Sequence, residues 1–199
     1  MMLVEETTVP ASALPVAEFK DHLRLGSGFS DDGVQDAVLE SYLRAAMAAI
    51  EARTGKILIE RECSWTLTAW RDSRRQPLPV APVNAVSAVT LLDMQGAETV
   101  VDADTWYLEP DMQRPSLQPA GTCLPTLPSG GSVRIGMLAG FGPEWSDLPS
   151  DLAQAVMLLA AHFYEYRHDV SRSTPAMPVG VLALIEGYRT VRLFMGGQV

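Results

Sequence analysis

The apolar pattern of this chain changes its period twice, and this change limits the fold more than any other feature. From about residue 31 to 54, apolar residues recur in two adjacent rows at α-helical spacing. From 57 to 70 they alternate with polar residues, as in a β-strand that has one mainly polar face. The helical period returns over 148–168. The sequence therefore predicts an α+β fold in which a β-region is inserted between helices.

The predicted body is a small helical bundle with an inserted antiparallel β-sheet or hairpin region. A short helix is predicted at about 16–25, and the β-region spans about 56–138. The turn residues Gln95 and Gly96 and the other short connections favour antiparallel pairing. The segment 109–131 contains five prolines, which predicts a long Pro-rich loop. Such a loop is usually functional or disordered, and the plainer alternative is an exposed hairpin tip. The strands are predicted at 57–70, 86–92, around 99–101, 105–108 and 132–138.

The last predicted helix, 178–194, is too apolar to stand alone in water. Pro178 suits a first helical position, because it has no N–H to lose there and its φ is already fixed. A Ser/Thr/Pro-rich hinge at 170–178 separates this helix from the preceding one. Two interpretations remain open: a protruding helix that docks on another protein, or a last helix packed on the chain's own core. The narrow polar stripe of the helix consists of Glu186, Arg189 and Arg192.

The charge of the chain argues against a nucleic-acid-binding surface. The sequence has 15 basic and 24 acidic residues, a formal net charge of −9. Six acids and no base lie between residues 93 and 111, whereas the segment from Arg167 to the end is net basic. An acidic body with a basic, apolar tail is better suited to docking on a protein than to binding DNA. One basic cluster, which could contact DNA or pair with a neighbour's acids, consists of Arg71, Arg74 and Arg75.

The sequence predicts neither a membrane span nor a secretory signal. No apolar run approaches 18 residues, and the first residues lack a basic region followed by an apolar one. Cys63 and Cys123 lie far apart in the sequence. Their number and separation indicate a reducing compartment and disfavour a disulfide scaffold or a metal knuckle.

The sequence predicts no catalytic, cofactor-binding or metal site. It contains no serine-hydrolase elbow, dinucleotide fingerprint or phosphate-binding loop. His162, Glu165 and His168 follow one another at steps of three residues, whereas helical metal sites usually use histidines four apart and a further ligand. Histidines near a helix end that are satisfied by their surroundings are the simpler interpretation. A small metal-dependent hydrolase or nuclease is the alternative that depends on these three residues.

Four stretches of the chain, at residues 44–58, 78–86, 148–167 and 178–189, carry short motifs. In these motifs the chain resembles bacteriophage head–tail connector (adaptor) proteins of long-tailed phages. Residues 44–58 resemble the family's IEA-x-TG-[RK]-x-L segment, and 78–86 resemble its LP-x-x-PV-x-x-V strand entry. Residues 148–167 are similar to its LP…A…AAH-[WF]-YE-x-R helix, and 178–189 to its P-x-G-V…L-x-x-YR ending. The four stretches follow the family's order, which makes the set specific. The adaptor of a phage-derived gene transfer agent fits the pattern equally well. The Pro-rich loop is the main departure.

This resemblance implies a non-enzymatic ring protein, expected in twelve copies, in the neck of a phage-like particle. The protein would bridge the portal and the stopper or tail terminator, and would leave a channel for DNA as transient cargo. The resemblance implies no cofactor and no membrane contact, and places the chain in the host cytoplasm during assembly. A tail-completion or stopper protein is the alternative within the same class.

The resemblance also divides the chain into a connector body, 1–177, and a C-terminal docking helix and tail, 178–199. The resemblance implies that the C-terminal part, 178–199, docks on the portal. The apolar surface agrees with this division, since ring formation and docking both need helices with more than one apolar face. The expected portal-docking residues are Val181, Leu182, Leu184, Ile185, Tyr188, Arg189, Arg192 and Phe194.

Overall fold

Two hydrophobic cores organise the computed structural model, which describes residues 2–24, 34–167 and 177–189. One core lies among the helices, and the other lies between two antiparallel β-sheets and their connections. The predicted α+β class and the antiparallel pairing are confirmed. The described α-helices are α1 (Val16–His22), α2 (Val34–Thr54), α3 (Ser150–Glu165) and α4 (Val179–Ile185).

The first three helices agree with the predicted ones in type and differ at their ends. α1 ends at His22 and α3 at Glu165, earlier than predicted. α3 begins directly after Pro149, whose fixed φ suits a helix entry. Residues 31–33, where the sequence predicts the start of α2, lie outside the described residues. Within the described ranges, no helix has both the length and the apolar character that a membrane span needs.

Of the two apolar rows on α2, one is fully buried in the helical core and the other is only partly buried against it. The first row is buried against α3, where Leu152 and Leu159 are buried as well. The other row is partly open: Val38 is 47% exposed, and the ring of Tyr42 meets that of Tyr164 edge-on at 5.8 Å. α2 therefore keeps an apolar face that its own chain covers only in part. The buried row consists of Leu39, Leu43, Ala46 and Ile50.

The strands form a five-stranded and a three-stranded antiparallel sheet. The larger has the order β1-β2-β8-β4-β5, and the smaller has the order β3-β7-β6. In the larger sheet, Leu3, Trp65, Ile135 and Val89 lie in register on four adjacent strands. Trp65, Ile135 and Val89 are buried, as the alternating pattern predicts. The strands are β1 (Met2–Glu5), β2 (Arg61–Leu67), β3 (Gln76–Pro77), β4 (Val83–Leu92), β5 (Glu98–Val100), β6 (Trp106–Glu109), β7 (Ser116–Pro119) and β8 (Ser132–Ala139).

The Pro-rich segment 109–131 is not one long loop, which corrects the prediction. It contains β7, which pairs with both β6 and β3. Leu117 and Leu124 are buried in the sheet core, and the indole N–H of Trp70 donates to the Pro125 carbonyl oxygen at 2.7 Å. These apolar side chains order the segment, whereas its prolines only restrict the backbone.

A buried arginine joins the larger sheet to the helical layer. Arg61 lies on the apolar face of β2 and is almost fully buried. Its Nη1 and Nη2 donate to the two carboxylate oxygens of Glu51 on α2, at 3.0 and 2.6 Å, and Nη2 also donates to Glu5 on β1 at 2.9 Å. A buried charge is tolerated only with such partners. This network therefore fixes the position of α2 relative to β1 and β2.

Candidate functional site

The C-terminal segment forms a shorter helix than the sequence predicts. α4 covers seven residues, a 3₁₀ turn follows at Glu186–Tyr188, and Arg189 is extended, with φ −71° and ψ 127°. The prediction of one helix over 178–194 is therefore wrong for residues 186–189. Gly187 lies where the helix stops, and glycine is among the poorest helix formers. The predicted docking residues Arg192 and Phe194, and most of the predicted hinge, lie outside the described residues.

The described part of this segment packs along the body instead of protruding from it. Val181 and Ile185, four residues apart, are fully buried in the helical core, and α4 contacts α3. Leu184 and Tyr188 are partly buried against the same core. Helical spacing puts such residues on one face, so burial of that face holds α4 on α3. Of the two interpretations left open by the sequence, Val181, Ile185, Leu184 and Tyr188 agree with a last helix that packs on the chain's own core. Among the predicted docking residues that the structure describes, Arg189 is exposed and Leu182 is partly buried.

Tyr188 attaches the end of the segment to α3. Its hydroxyl group donates to Asp151 Oδ1 at 2.8 Å, and its ring meets that of Phe141 edge-on at 6.3 Å. Burial and the Asp151 carboxylate raise the pKa of Tyr188 to about 12, since both disfavour the phenolate. Tyr188 therefore holds the last described residues of the segment on the body.

A second set of contacts links the same part of the segment to the β6–β7 hairpin. Lys56, 1% exposed, donates from Nζ to the Met112 carbonyl oxygen at 2.6 Å and to Gln113 Oε1 at 2.8 Å. Gln113 Nε2 in turn donates to the Gly187 carbonyl oxygen at 3.2 Å. Burial lowers the pKa of Lys56, and the charge of Asp111 opposes this effect. Sequence reasoning missed these residues, although Lys56 occupies the basic position of the IEA-x-TG-[RK]-x-L segment.

The polar stripe predicted on the segment is present in its described part. Arg189 Nη1 contacts Glu186 Oε2 at 2.9 Å, three residues away, and both side chains are exposed. An exposed pair of this kind contributes little to stability, typically about 0–1 kcal/mol. Arg189 can therefore exchange Glu186 for a carboxylate of a partner at small cost.

The structure describes two of the three residues on which the hydrolase or nuclease alternative depends. The His162 ring lies 4.6 Å from the ring of Tyr166, and Glu165 is exposed. His168 lies outside the described residues. Across 2–24, 34–167 and 177–189, no three His, Cys, Asp or Glu side chains are grouped so that they could hold a metal ion.

All three arginines of the basic cluster at 71–75 are exposed, and Arg75 also makes contacts within the chain. Arg75 Nη2 contacts Glu109 Oε2 at 3.1 Å, and Arg75 Nε donates to the Ser116 hydroxyl oxygen at 3.1 Å. One of the three arginines therefore serves to attach the β2–β3 connection to the smaller sheet.

Comparison with solved structures shows close similarity to chains of gene transfer agent particles. The neck of an empty particle, computed with C6 symmetry, contains a chain with 59% identity and a TM-score of 0.89. The virion of a native particle contains one with 59% identity and a TM-score of 0.87. The neck of a native particle, computed with C12 symmetry, contains one with 55% identity and a TM-score of 0.85. Each match covers 98% of this chain and 99% of the other.

Comparison with protein-family models and with curated proteins gives no match. The similarity to the particle chains nevertheless extends over nearly the full length of both partners, at more than half identity. It confirms the resemblance found in the sequence: the chain belongs to the head–tail connector family, among the neck proteins of phage-derived gene transfer agents.

Proposed function

We propose that this chain is a structural adaptor that forms a ring between the portal and the stopper or tail of the particle, and that the ring leaves a channel for DNA. The observation that carries this proposal is the 55–59% identity to chains in particle necks computed with C6 and C12 symmetry. Cyclic symmetry of this kind describes a closed ring of equivalent copies. The higher of the two symmetries supports the proposed number of twelve copies. The role of such a component is structural and involves no catalytic step.

The open row of α2 supports contact between copies of the chain. Val38 is 47% exposed, and Ala45, two helical turns further along, is exposed as well. In a head-to-tail ring each copy presents two different surfaces to its neighbours, so a helix with one face in its own core and another apolar face outside suits this arrangement.

Docking on the portal is assigned to the C-terminal docking helix and tail, 178–199. Val181 and Ile185 hold this part on the body, and the contacts of Gly187 and Tyr188 attach its last described residues. A segment held in this way loses less conformational entropy when it binds than a free one. The residues proposed to contact the portal are Leu182, Leu184, Tyr188 and Arg189, with Arg192 and Phe194 in the following residues.

A charge reversal on the polar stripe tests this proposal. We expect the double variant Arg189→Glu, Arg192→Glu to give filled heads without tails, because two proposed charge-assisted contacts to partner acids become repulsive. The measurement is electron microscopy of particles, together with binding of the purified variant to purified portal protein. The matched control is Arg71→Glu, Arg74→Glu, which makes the same charge change at exposed positions of the β2–β3 connection.

The control is expected to assemble tailed particles. Normal tailed particles from the Arg189→Glu, Arg192→Glu variant would contradict the docking role. A neck reconstruction that places the chain away from the portal, in contact only with tail components, would favour the stopper alternative instead.

A further inference from the structure

The tip of the β6–β7 hairpin, residues 110–115, lies directly beside the C-terminal segment. Gln113 Nε2 donates to the Gly187 carbonyl oxygen at 3.2 Å, next to Tyr188 in the chain. Gly187 is exposed, and so is Gln113. The hairpin tip and the end of the 3₁₀ turn therefore form one continuous surface.

A buried lysine anchors this tip to the body through two hydrogen bonds. Both side-chain hydrogen bonds of Lys56 go to the tip, to the Met112 carbonyl oxygen and to Gln113 Oε1. The Asp111 carboxylate closes the turn by accepting from the backbone N–H groups of Gln113 and Arg114, both at 2.6 Å. Burial of an ammonium group is costly. The tip contributes little to the core in return, because residues 111–114 are exposed.

The tip presents a large apolar side chain to solvent. Met112 is 55% exposed, although its backbone is fixed by Lys56. Methionine is frequent at protein-binding surfaces, because its unbranched side chain adapts to the shape of a partner. The tip thus combines a rigid backbone with an adaptable apolar contact, beside a segment that carries Arg189.

We infer that the hairpin tip and the C-terminal segment form one docking surface, in which Met112 enters an apolar pocket on the same portal ring that receives the C-terminal segment. This inference depends on the proposed docking role and extends it to a second element. Lys56 and Gln113 are positioning residues, since they set the place of Met112 relative to Gly187.

The test introduces a charge at the tip and compares it with the same change on another hairpin. We expect Met112→Glu to weaken binding to purified portal protein at least tenfold, while its urea unfolding midpoint stays at the wild-type value. Met94→Glu is the matched control, because Met94 is 73% exposed in the β4–β5 turn. It is expected to bind like the wild type. Gln113→Ala is expected to weaken binding less than Met112→Glu, since it loosens the tip without charging it.

The outcomes separate this inference from the proposed function. Wild-type binding by Met112→Glu, together with lost binding by Arg189→Glu, Arg192→Glu, would overturn the inference and leave the docking role intact. Wild-type binding by both variants would overturn both. Equal losses for Met112→Glu and Met94→Glu would reflect general charge repulsion, and would also overturn the inference.

Discussion

Tyr188 shows how one hydroxyl group attaches the C-terminal segment to the body. Its donor bond to Asp151 connects the 3₁₀ turn after α4 to the first turn of α3. The bond requires the neutral phenol, because a phenolate beside the Asp151 carboxylate would place two negative charges in contact. The attachment of the segment therefore depends on the protonation state of Tyr188 at alkaline pH.

Alkaline titration should weaken the fold through this residue. The native pKa of Tyr188, about 12, lies above its ordinary value of 10.0. Its contribution to the free energy of unfolding is therefore complete below pH 10 and is lost as the pH rises through about 12. We expect the free energy of unfolding of the wild type to fall more steeply between pH 10 and 12 than that of Tyr188→Phe, measured by urea unfolding.

The control for the loss of one tyrosine is Tyr107→Phe, at an exposed position on β6. This variant is expected to keep the steep fall of the wild type. A Tyr188→Phe variant that falls as steeply as the wild type would mean that the Asp151 contact does not persist in solution.

At the scale of elements, α4 is a seven-residue helix that its neighbours stabilise. A helix of this length is marginal in water, so its stability must come from tertiary packing. Val181 and Ile185 provide that packing against the helical core. The proposed docking part of the chain is thus built on a short helix that already belongs to the body.

Two valines of α4 provide a matched test of this arrangement. Val181 is fully buried, whereas Val179, two residues before it, is 81% exposed. We expect Val181→Ala to lower the free energy of unfolding by about 2 kcal/mol, from two buried methyl groups and the cavity that they leave. Val179→Ala is expected to change it by less than about 0.5 kcal/mol. Urea unfolding measures both, and equal effects would mean that α4 is detached from α3 in solution.

At the scale of the whole molecule, the charge distribution suits a channel wall that DNA passes without binding. The formal net charge is −9, and the described residues between 93 and 111 include six acids and no base. Within the proposed ring, repulsion between such walls and phosphates would let DNA slide, whereas a basic wall would hold it.

The isolated protein should therefore show no measurable affinity for duplex DNA at physiological salt. Fluorescence anisotropy with a labelled duplex is the measurement. Micromolar binding that weakens with added salt, and that Arg71→Glu, Arg74→Glu abolishes, would instead assign the 71–75 cluster to phosphate binding. The proposed role of the acidic wall would then be wrong.

The sequence by itself determined the features that repeat with a regular period or follow the family's segments. α2 and α3 were predictable because apolar residues recur at α-helical spacing, and β2 because Cys63, Trp65 and Leu67 alternate with polar residues. The antiparallel pairing of β4 and β5 followed from the short turn around Gly96, whose φ of +82° favours glycine. The family followed from four short segments in a fixed order.

Only the tertiary structure decided the features that depend on distant partners. β1 has no alternating pattern and forms because the edge of β2 accepts it. β7 lies among prolines and is ordered by β3, β6 and the burial of Leu117. Lys56 has the sequence context of an exposed residue after a helix, yet it is buried beneath the hairpin tip. The partners of β1 and Lys56 lie far away in the chain, and β7 pairs with the distant β3 as well as with the neighbouring β6. A local pattern carries no information about such distant partners.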